Sequence, residues 1–212
     1  MLTSLRQNCP AADLLVIDDN SDDGTADLAR RFAADDHNRT RVVVRQTRGL
    51  GSAITATMGA AIEGGYEYLV NLDADFSHDP AAVPSLIDRA ERTGAGVVVG
   101  SRYTAGGKIV GWPLHRRWMS RRINRLAISR LNLPVSDCSG SMRCYRVESL
   151  QALNPATLTS PGYSILEEVL HRLHQMNVPM DEVPITFTDR QAGTSKLTLP
   201  EAARSLWKIL RL

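Results

Sequence analysis

Apolar positions fall into two rhythms along this chain. Short runs that are apolar throughout alternate with longer stretches in which apolar residues recur every three or four positions. Leu14-Leu15-Val16-Ile17, Val42-Val43-Val44 within residues 41–45, Tyr68-Leu69-Val70-Asn71-Leu72 and Val97-Val98-Val99 are of the first kind and predict buried strands. Residues from about Thr25 to Ala34, Leu50 to Gly64, Pro80 to Arg92, His115 to Asn132 and Tyr163 to Met176 are of the second kind and predict helices. Pro80 suits a first helical turn, where its missing N–H removes no hydrogen bond. Ser141 to Arg146 reads as a further strand. Val178 to Thr188 reads as an extended segment that Pro179 and Pro184 place at a sheet edge. Pro200 to Leu212 reads as a closing amphipathic helix, and Met1 to Arg6 as the tail of another. The alternation predicts an α/β fold: a mostly parallel sheet with helices on both faces. No linker-like stretch interrupts it, so one domain is expected over residues 1–212.

Composition narrows the class only slightly. With 43% hydrophobic and 23% charged residues the 212-residue chain has an ordinary globular balance. The net charge of +2 names no partner, and nothing in its pattern calls for nucleic acid. Its distribution says more: residues 115–130 hold Arg116, Arg117, Arg121, Arg122, Arg125 and Arg130 and no acid. Cys9, Cys138 and Cys144 show no C-x-x-C spacing, which argues against a zinc site or a disulfide framework and for a reducing, cytoplasmic setting. No apolar stretch approaches bilayer length, and the first residues do not read as a signal peptide.

The candidate chemistry sits where strands end. Leu72-Asp73-Ala74-Asp75-Phe76-Ser77-His78 puts two carboxylates one residue apart, directly after a strand. A loop there lets both reach one hard divalent cation, whose remaining positions fill with water and substrate phosphates. Asp18-Asp19 occupies the same kind of position after the first apolar run, although turn and cap chemistry also favours such residues. In sheets of this type ligands bind beyond the carboxyl ends of the strands.

Taken together the motifs resemble family 2 glycosyltransferases with the GT-A fold, most closely polyprenol (dolichyl) phosphate mannose synthases. They are Val16-Ile17-Asp18-Asp19-Asn20-Ser21-Asp22-Asp23-Gly24-Thr25, Gly49-Leu50-Gly51-Ser52-Ala53, Asp73-Ala74-Asp75-Phe76-Ser77-His78, Gly100-Ser101-Arg102-Tyr103, Ser120-Arg121-Arg122-Ile123-Asn124, Asp137-Cys138-Ser139-Gly140-Ser141-Met142-Arg143 and Asp189-Arg190-Gln191-Ala192-Gly193-Thr194-Ser195-Lys196-Leu197. The resemblance implies metal-dependent transfer of mannose from GDP-mannose to a polyprenyl phosphate, inverting the anomeric centre. It implies Asp18, Asp19 and Lys196 on the nucleotide side and Asp73, Asp75 and Ser77 as ligands of Mg²⁺ or Mn²⁺. It places Arg102, Arg116, Ser120 and Arg190 on the phosphate side of the catalytic site. An ionised acceptor phosphate needs positioning and charge neutralisation rather than a strong base, which suits guanidinium groups.

The family's usual first strand, with its Pro-x-Tyr-Asn-Glu-like segment, is absent from this sequence. That absence keeps open a catalytically silent or truncated nucleotide-sugar binding module, and UDP-glucose remains an alternative donor for the same acceptor class. The basic helix and the closing helix have two readings. They either pack on the core through Met119, Ile123, Leu126 and Ala127 and their counterparts, or lie on the cytoplasmic face of a membrane as a peripheral attachment.

Overall fold

Strands rich in Val, Ile and Leu form the framework of the computed structural model, which describes residues 1–189. Arg190, Lys196 and the expected closing helix over Pro200–Leu212 lie outside the described residues. In chain order the elements are α1 (Leu2–Asn8), β1 (Leu14–Asp18), α2 (Thr25–Asp35), β2 (Thr40–Val44), α3 (Leu50–Glu63) and β3 (Tyr68–Asn71). Then follow α4 (Val83–Thr93), β4 (Val97–Ser101), β5 (Lys108–Val110), α5 (Leu114–Leu131), β6 (Arg143–Arg146), α6 (Val147–Leu153), α7 (Ile165–Gln175), β7 (Met180–Pro184) and β8 (Thr186–Thr188). The segment expected as one helix from Pro80 begins as a 3-10 turn, Pro80–Ala82, capped by the Asp79 carboxylate, which accepts from the Ala81 N–H at 2.9 Å.

The sheet is mixed. β1 pairs with β2, β4 with β7 and β5 with β8 in parallel, whereas β6 runs antiparallel to both β3 and β4. Because β6 reverses between them, β3, β4 and β7 all point the same way. Their carboxyl ends therefore share one edge of the four-stranded sheet β3-β6-β4-β7. β7 is its outer strand, as the two prolines suggested.

Period-two alternation divides β4 between two cores. Val97 and Val99 pack with Ile54, Met58, Tyr145, Leu166, Val169 and Leu170 on one face. Val98 packs with Val83, Leu86, Ala90, Met142, Cys144 and Ile185 on the other. All three valines are fully buried, so both faces are covered, and each contributes about 1.5–3 kcal/mol relative to exposure. α3 buries Gly51, Ile54, Met58 and Ala61, a stripe at helical spacing.

α5 behaves differently from a core helix. It buries Asn124, Ala127 and Leu131, while Leu114, Trp118, Met119, Ile123 and Leu126 stay exposed. Of the residues expected on its apolar side, only Ala127 is buried.

Candidate active site

The shared strand edge assembles the site. The loop after β3 carries Asp73, Asp75 and Ser77, β4 runs into Arg102, and the chain leaving β7 brings Ile185 and Phe187 beside them. The Asp75 carboxylate accepts from the Ser77 N–H at 2.9 Å, and the Ser77 carbonyl accepts from the Thr188 N–H at 3.0 Å, which pins the loop to β8. Between the two, Phe76 adopts φ 60° and is 55% exposed. A bulky aromatic in the left-handed region costs about 1–3 kcal/mol, a form of strain that collects at functional loops.

Ser77 and His78 are each 1% exposed, and neither the Ser77 Oγ nor either ring nitrogen of His78 has a hydrogen-bond partner among the described residues. Burial pushes the His78 imidazole below its ordinary value, and the Asp73 carboxylate, 4.0 Å from Nδ1, only partly opposes that shift. The donor set of Asp73, Asp75 and an orphaned hydroxyl is all oxygen, which suits a hard cation. Among the described residues no cluster of three or more His, Cys, Asp or Glu side chains is arranged to hold a metal.

At the tip of β1, Asp18 is buried and accepts from the Ser21 N–H at 2.8 Å. Asp19 accepts from Arg45 Nε at 2.9 Å and Nη2 at 2.6 Å, and from the Gly49 N–H at 2.9 Å. That last bond joins the two glycine-bearing motifs. Gly51 is needed for packing: a Cβ there would stand 2.1 Å from the Ser160 carbonyl oxygen.

The expected phosphate-side residues separate into two environments. Arg116, in the first turn of α5, is half-buried. Its guanidinium lies 4.0 Å over the Trp112 ring and its Nη1 is 3.3 Å from the Asp189 carboxylate. Ser120, one turn on, pairs its hydroxyl with the Tyr103 hydroxyl at 2.7 Å. Arg102 is instead 7% exposed and committed to Asp137, with Nε and Nη2 each 2.7 Å from a carboxylate oxygen and a further bond from Nη2 to Ser139 Oγ. Burial alone raises the Asp137 carboxyl, but the Arg102 charge and hydrogen bonds more than offset it and leave it below the ordinary range.

Phe187 links the parts. Its ring meets His78 edge-on at 5.2 Å and Trp112 at 5.4 Å, and the Arg102 guanidinium lies 5.5 Å above it. The carboxylate loop, Arg102 and the Arg116–Trp112 pair therefore surround one aromatic ring.

Several residues in this arrangement were not singled out by sequence reasoning. Asp137 and Arg143 stand in a quoted motif, yet a fully buried carboxylate and guanidinium cannot be told from surface charges by spacing. Arg143 donates to the carbonyls of Gly140, Cys138 and Leu166 and to the Tyr145 hydroxyl. Glu167 lies behind this network, and burial pushes its carboxyl up to about 7. Trp112 and Phe187 belong to no charged pattern; the one signal that points to Trp112 is its place just before the basic helix.

Residues 1–153 match the family described as Glycosyl transferase family 2. The chain belongs to that family. As a family 2 glycosyltransferase it is 39% identical over 198 residues to undecaprenyl-phosphate mannosyltransferase of Micrococcus luteus, covering 93% of this chain and 80% of the relative. It is 35% identical over 202 residues to polyprenol monophosphomannose synthase of Mycolicibacterium smegmatis, covering 95% and 76%. Among solved structures it is similar to glucosyl-3-phosphoglycerate synthase of Mycobacterium tuberculosis in complex with UDP, at a TM-score of 0.63 and 17% identity over 99% of this chain and 75% of that one. A complex of the same synthase with Mn²⁺, UDP-glucose and phosphoglyceric acid gives a TM-score of 0.62 at 18% identity over 98% and 72%. These structural likenesses agree with the GT-A-like α/β fold expected from the motifs. Among the described residues no helix is long and apolar enough to cross a membrane.

Proposed function

We propose that this glycosyltransferase moves mannose from GDP-mannose to the phosphate of a polyprenol, with inversion, and that the chain forms a single catalytic domain. The observation that carries the reading is the convergence on Phe187. His78, in the loop that carries Asp73 and Asp75, meets that ring edge-on, and so does Trp112, on which Arg116 is stacked, with Ser120 one turn along the same helix face as Arg116. The relatives named as acting on undecaprenyl phosphate and on polyprenol support the acceptor class.

Asp73, Asp75 and the unpartnered Ser77 hydroxyl fit Mg²⁺ or Mn²⁺. A cation held there supplies charge stabilisation to the departing diphosphate. Asp18, and Asp19 through its bonds to Arg45 and Gly49, shape the nucleotide side. Arg116 binds and orients the acceptor phosphate, and Ser120, whose hydroxyl shares a hydrogen bond with the Tyr103 hydroxyl, lies on the same helix face. Arg102 acts from beneath, through the Asp137 pair it closes. Arg190 and Lys196 belong to the same reading on the strength of their motif. The acceptor phosphate is already ionised near neutral pH, so bringing two anions to one carbon is a problem of proximity and electrostatics.

The exposed face of α5 suits the residence of such an acceptor. Leu114 at 80% and Trp118 at 61% exposure stand among Arg117, Arg121, Arg122 and Arg125, a composition that lies on an anionic bilayer surface, here the cytoplasmic face. Sedimentation with anionic vesicles at low salt tests this, and no binding counts against it.

The decisive assay gives the protein Mn²⁺, labelled GDP-mannose or UDP-glucose, and a short polyprenyl phosphate. Transfer from GDP-mannose alone supports the reading. Transfer from UDP-glucose alone overturns the donor, and metal-dependent donor binding without product overturns catalysis in favour of a binding module. Asp75→Ala should lower kcat/KM by at least about 10²–10³-fold with an unchanged circular dichroism spectrum, and retained turnover would remove Asp75 from the metal site.

A further inference from the structure

Arg116 is held in a way that leaves one side of it open. Trp112 lies against its face at 4.0 Å, and Asp189 approaches Nη1 alone, with its two oxygens at 3.3 and 3.4 Å. Among the described residues no group hydrogen-bonds its Nε or Nη2, the edge with which a guanidinium takes an oxyanion bidentately. The Asp189 contacts are at the long end of hydrogen bonding and the pair is about one-third exposed, so the carboxylate steers the guanidinium without using up its charge.

Asp189 is itself fixed from three directions. Its backbone N–H donates to the Val110 carbonyl at 2.9 Å, continuing the parallel register of β5 and β8. Its Oδ1 accepts from the Trp112 indole N–H at 3.1 Å. Its Cβ lies so close to Gly111, at φ 86°, that a Cβ on that residue would stand 2.9 Å from it. Trp112 meets Phe187 edge-on at 5.4 Å, and Phe187 meets His78 at 5.2 Å, one residue beyond Ser77. The orientation of Arg116 is thus referred, through packed rings, to the loop that carries Asp73 and Asp75.

We propose that Asp189 and Trp112 are positioning residues that set the Arg116 guanidinium so that its Nε–Nη2 edge meets the acceptor phosphate. The inference rests on the reading of Arg116 as an acceptor-side residue. Asp189 fixes the corner, Trp112 fixes the plane, and the remaining edge faces the ligand. Losing either constraint leaves the charge in place but lets it wander over several rotamers, which weakens phosphate binding and leaves the nucleotide side alone.

The test uses the full chain and farnesyl phosphate as a soluble acceptor probe. Its Kd is measured calorimetrically without donor, together with acceptor KM, donor KM and kcat where turnover is present. Asp189→Ala and Trp112→Leu should each raise the farnesyl phosphate Kd about 10-fold while donor binding stays within about 2-fold, because misorientation costs proximity at one ligand only. Asp189→Asn and Trp112→Phe, which keep an acceptor oxygen and a stacking face respectively, should recover part of the loss. A purely structural role predicts equal effects on donor and acceptor and no such graded recovery. If Arg116→Ala weakens farnesyl phosphate binding while the Asp189 and Trp112 variants leave it unchanged, the positioning role is overturned and the acceptor reading of Arg116 stands. Tighter binding in Asp189→Asn also overturns it, by showing that Asp189 competes with the phosphate. If Arg116→Ala changes nothing, both the inference and its premise fall.

Discussion

Asp137 is the residue whose loss the structure should tolerate least. Its carboxylate is fully buried and accepts five hydrogen bonds. Arg102 donates from its backbone N–H at 3.0 Å and from Nε at 2.7 Å to one oxygen, and from Nη2 at 2.7 Å to the other, which also takes the N–H groups of Ser139 and Gly140. Asp137→Asn keeps the volume but cannot keep the pattern. Whichever way the amide turns, its NH₂ faces at least two donors, and the buried Arg102 charge loses its counter-ion. Removing one partner of such a pair costs about 3–5 kcal/mol. Chemical denaturation at pH 7 should show that loss for Asp137→Asn and for Arg102→Ala, whereas the double variant Arg102→Leu with Asp137→Leu should cost clearly less than the sum. The same pair gives a pH signature. Asp137 is below its ordinary value in the folded state, so its contribution is present above about pH 4 and is lost as the pH falls through the lowered value. An Arg102→Ala protein that stays within about 1 kcal/mol of the parent and loses only acceptor binding would refute a structural role and make Arg102 a direct phosphate ligand.

Two further outcomes follow from local geometry. Gly51→Ala should destabilise by about 1–3 kcal/mol or more, because its Cβ would meet the Ser160 and Pro161 backbone at 2.1 and 2.9 Å. Gly59→Ala in the same helix meets nothing within 4 Å and should be neutral or gain about 0.5–1 kcal/mol, so equal melting temperatures for the two would contradict the packing described. For Glu167 the sign runs the other way from Asp137: its folded value of about 7 exceeds the ordinary 4.5, so stability falls as pH rises between those values, by about 3 kcal/mol in all. Glu167→Gln should remove that slope and be the more stable protein at pH 8, and an unchanged slope in urea titrations would show that Glu167 ionises freely.

The strands and helices were legible because burial leaves a period. Val97-Val98-Val99 is apolar at every position since helices cover both faces of the sheet, and the stripe Gly51, Ile54, Met58, Ala61 returns at helical spacing since one side of α3 faces the core. Direction leaves no such mark. Arg143–Arg146 reads as a strand whichever way it runs, and only the structure shows that it reverses between β3 and β4. β5, three half-exposed or exposed residues, has too little burial to leave a pattern, yet its pairing with β8 brings Trp112 to Asp189. Those two residues are 77 apart in sequence, and no local signal joins them.

Charge is read least well, because a motif records that a residue is present but not what it faces. Arg102 and Arg116 look alike as single arginines near strand and helix ends. One is buried against Asp137 with its Nε and Nη2 occupied, and the other is about one-third exposed, with no hydrogen bond to its Nε or Nη2 among the described residues. Burial decides their tasks: a guanidinium paired inside the fold cannot exchange its carboxylate for a substrate without the 3–5 kcal/mol cost of breaking the pair, whereas a half-exposed one pays almost nothing. The same reasoning settles the face of α5. Its periodicity announced an amphipathic helix, but Met119, Ile123 and Leu126 are exposed while Asn124, bonded to the Ser136 carbonyl and the Cys138 N–H, is buried with Ala127 and Leu131. Periodicity records that a helix has two faces, but which of them turns inward depends on the bonds Asn124 makes to Ser136 and Cys138, and no local signal in the sequence joins those residues to it.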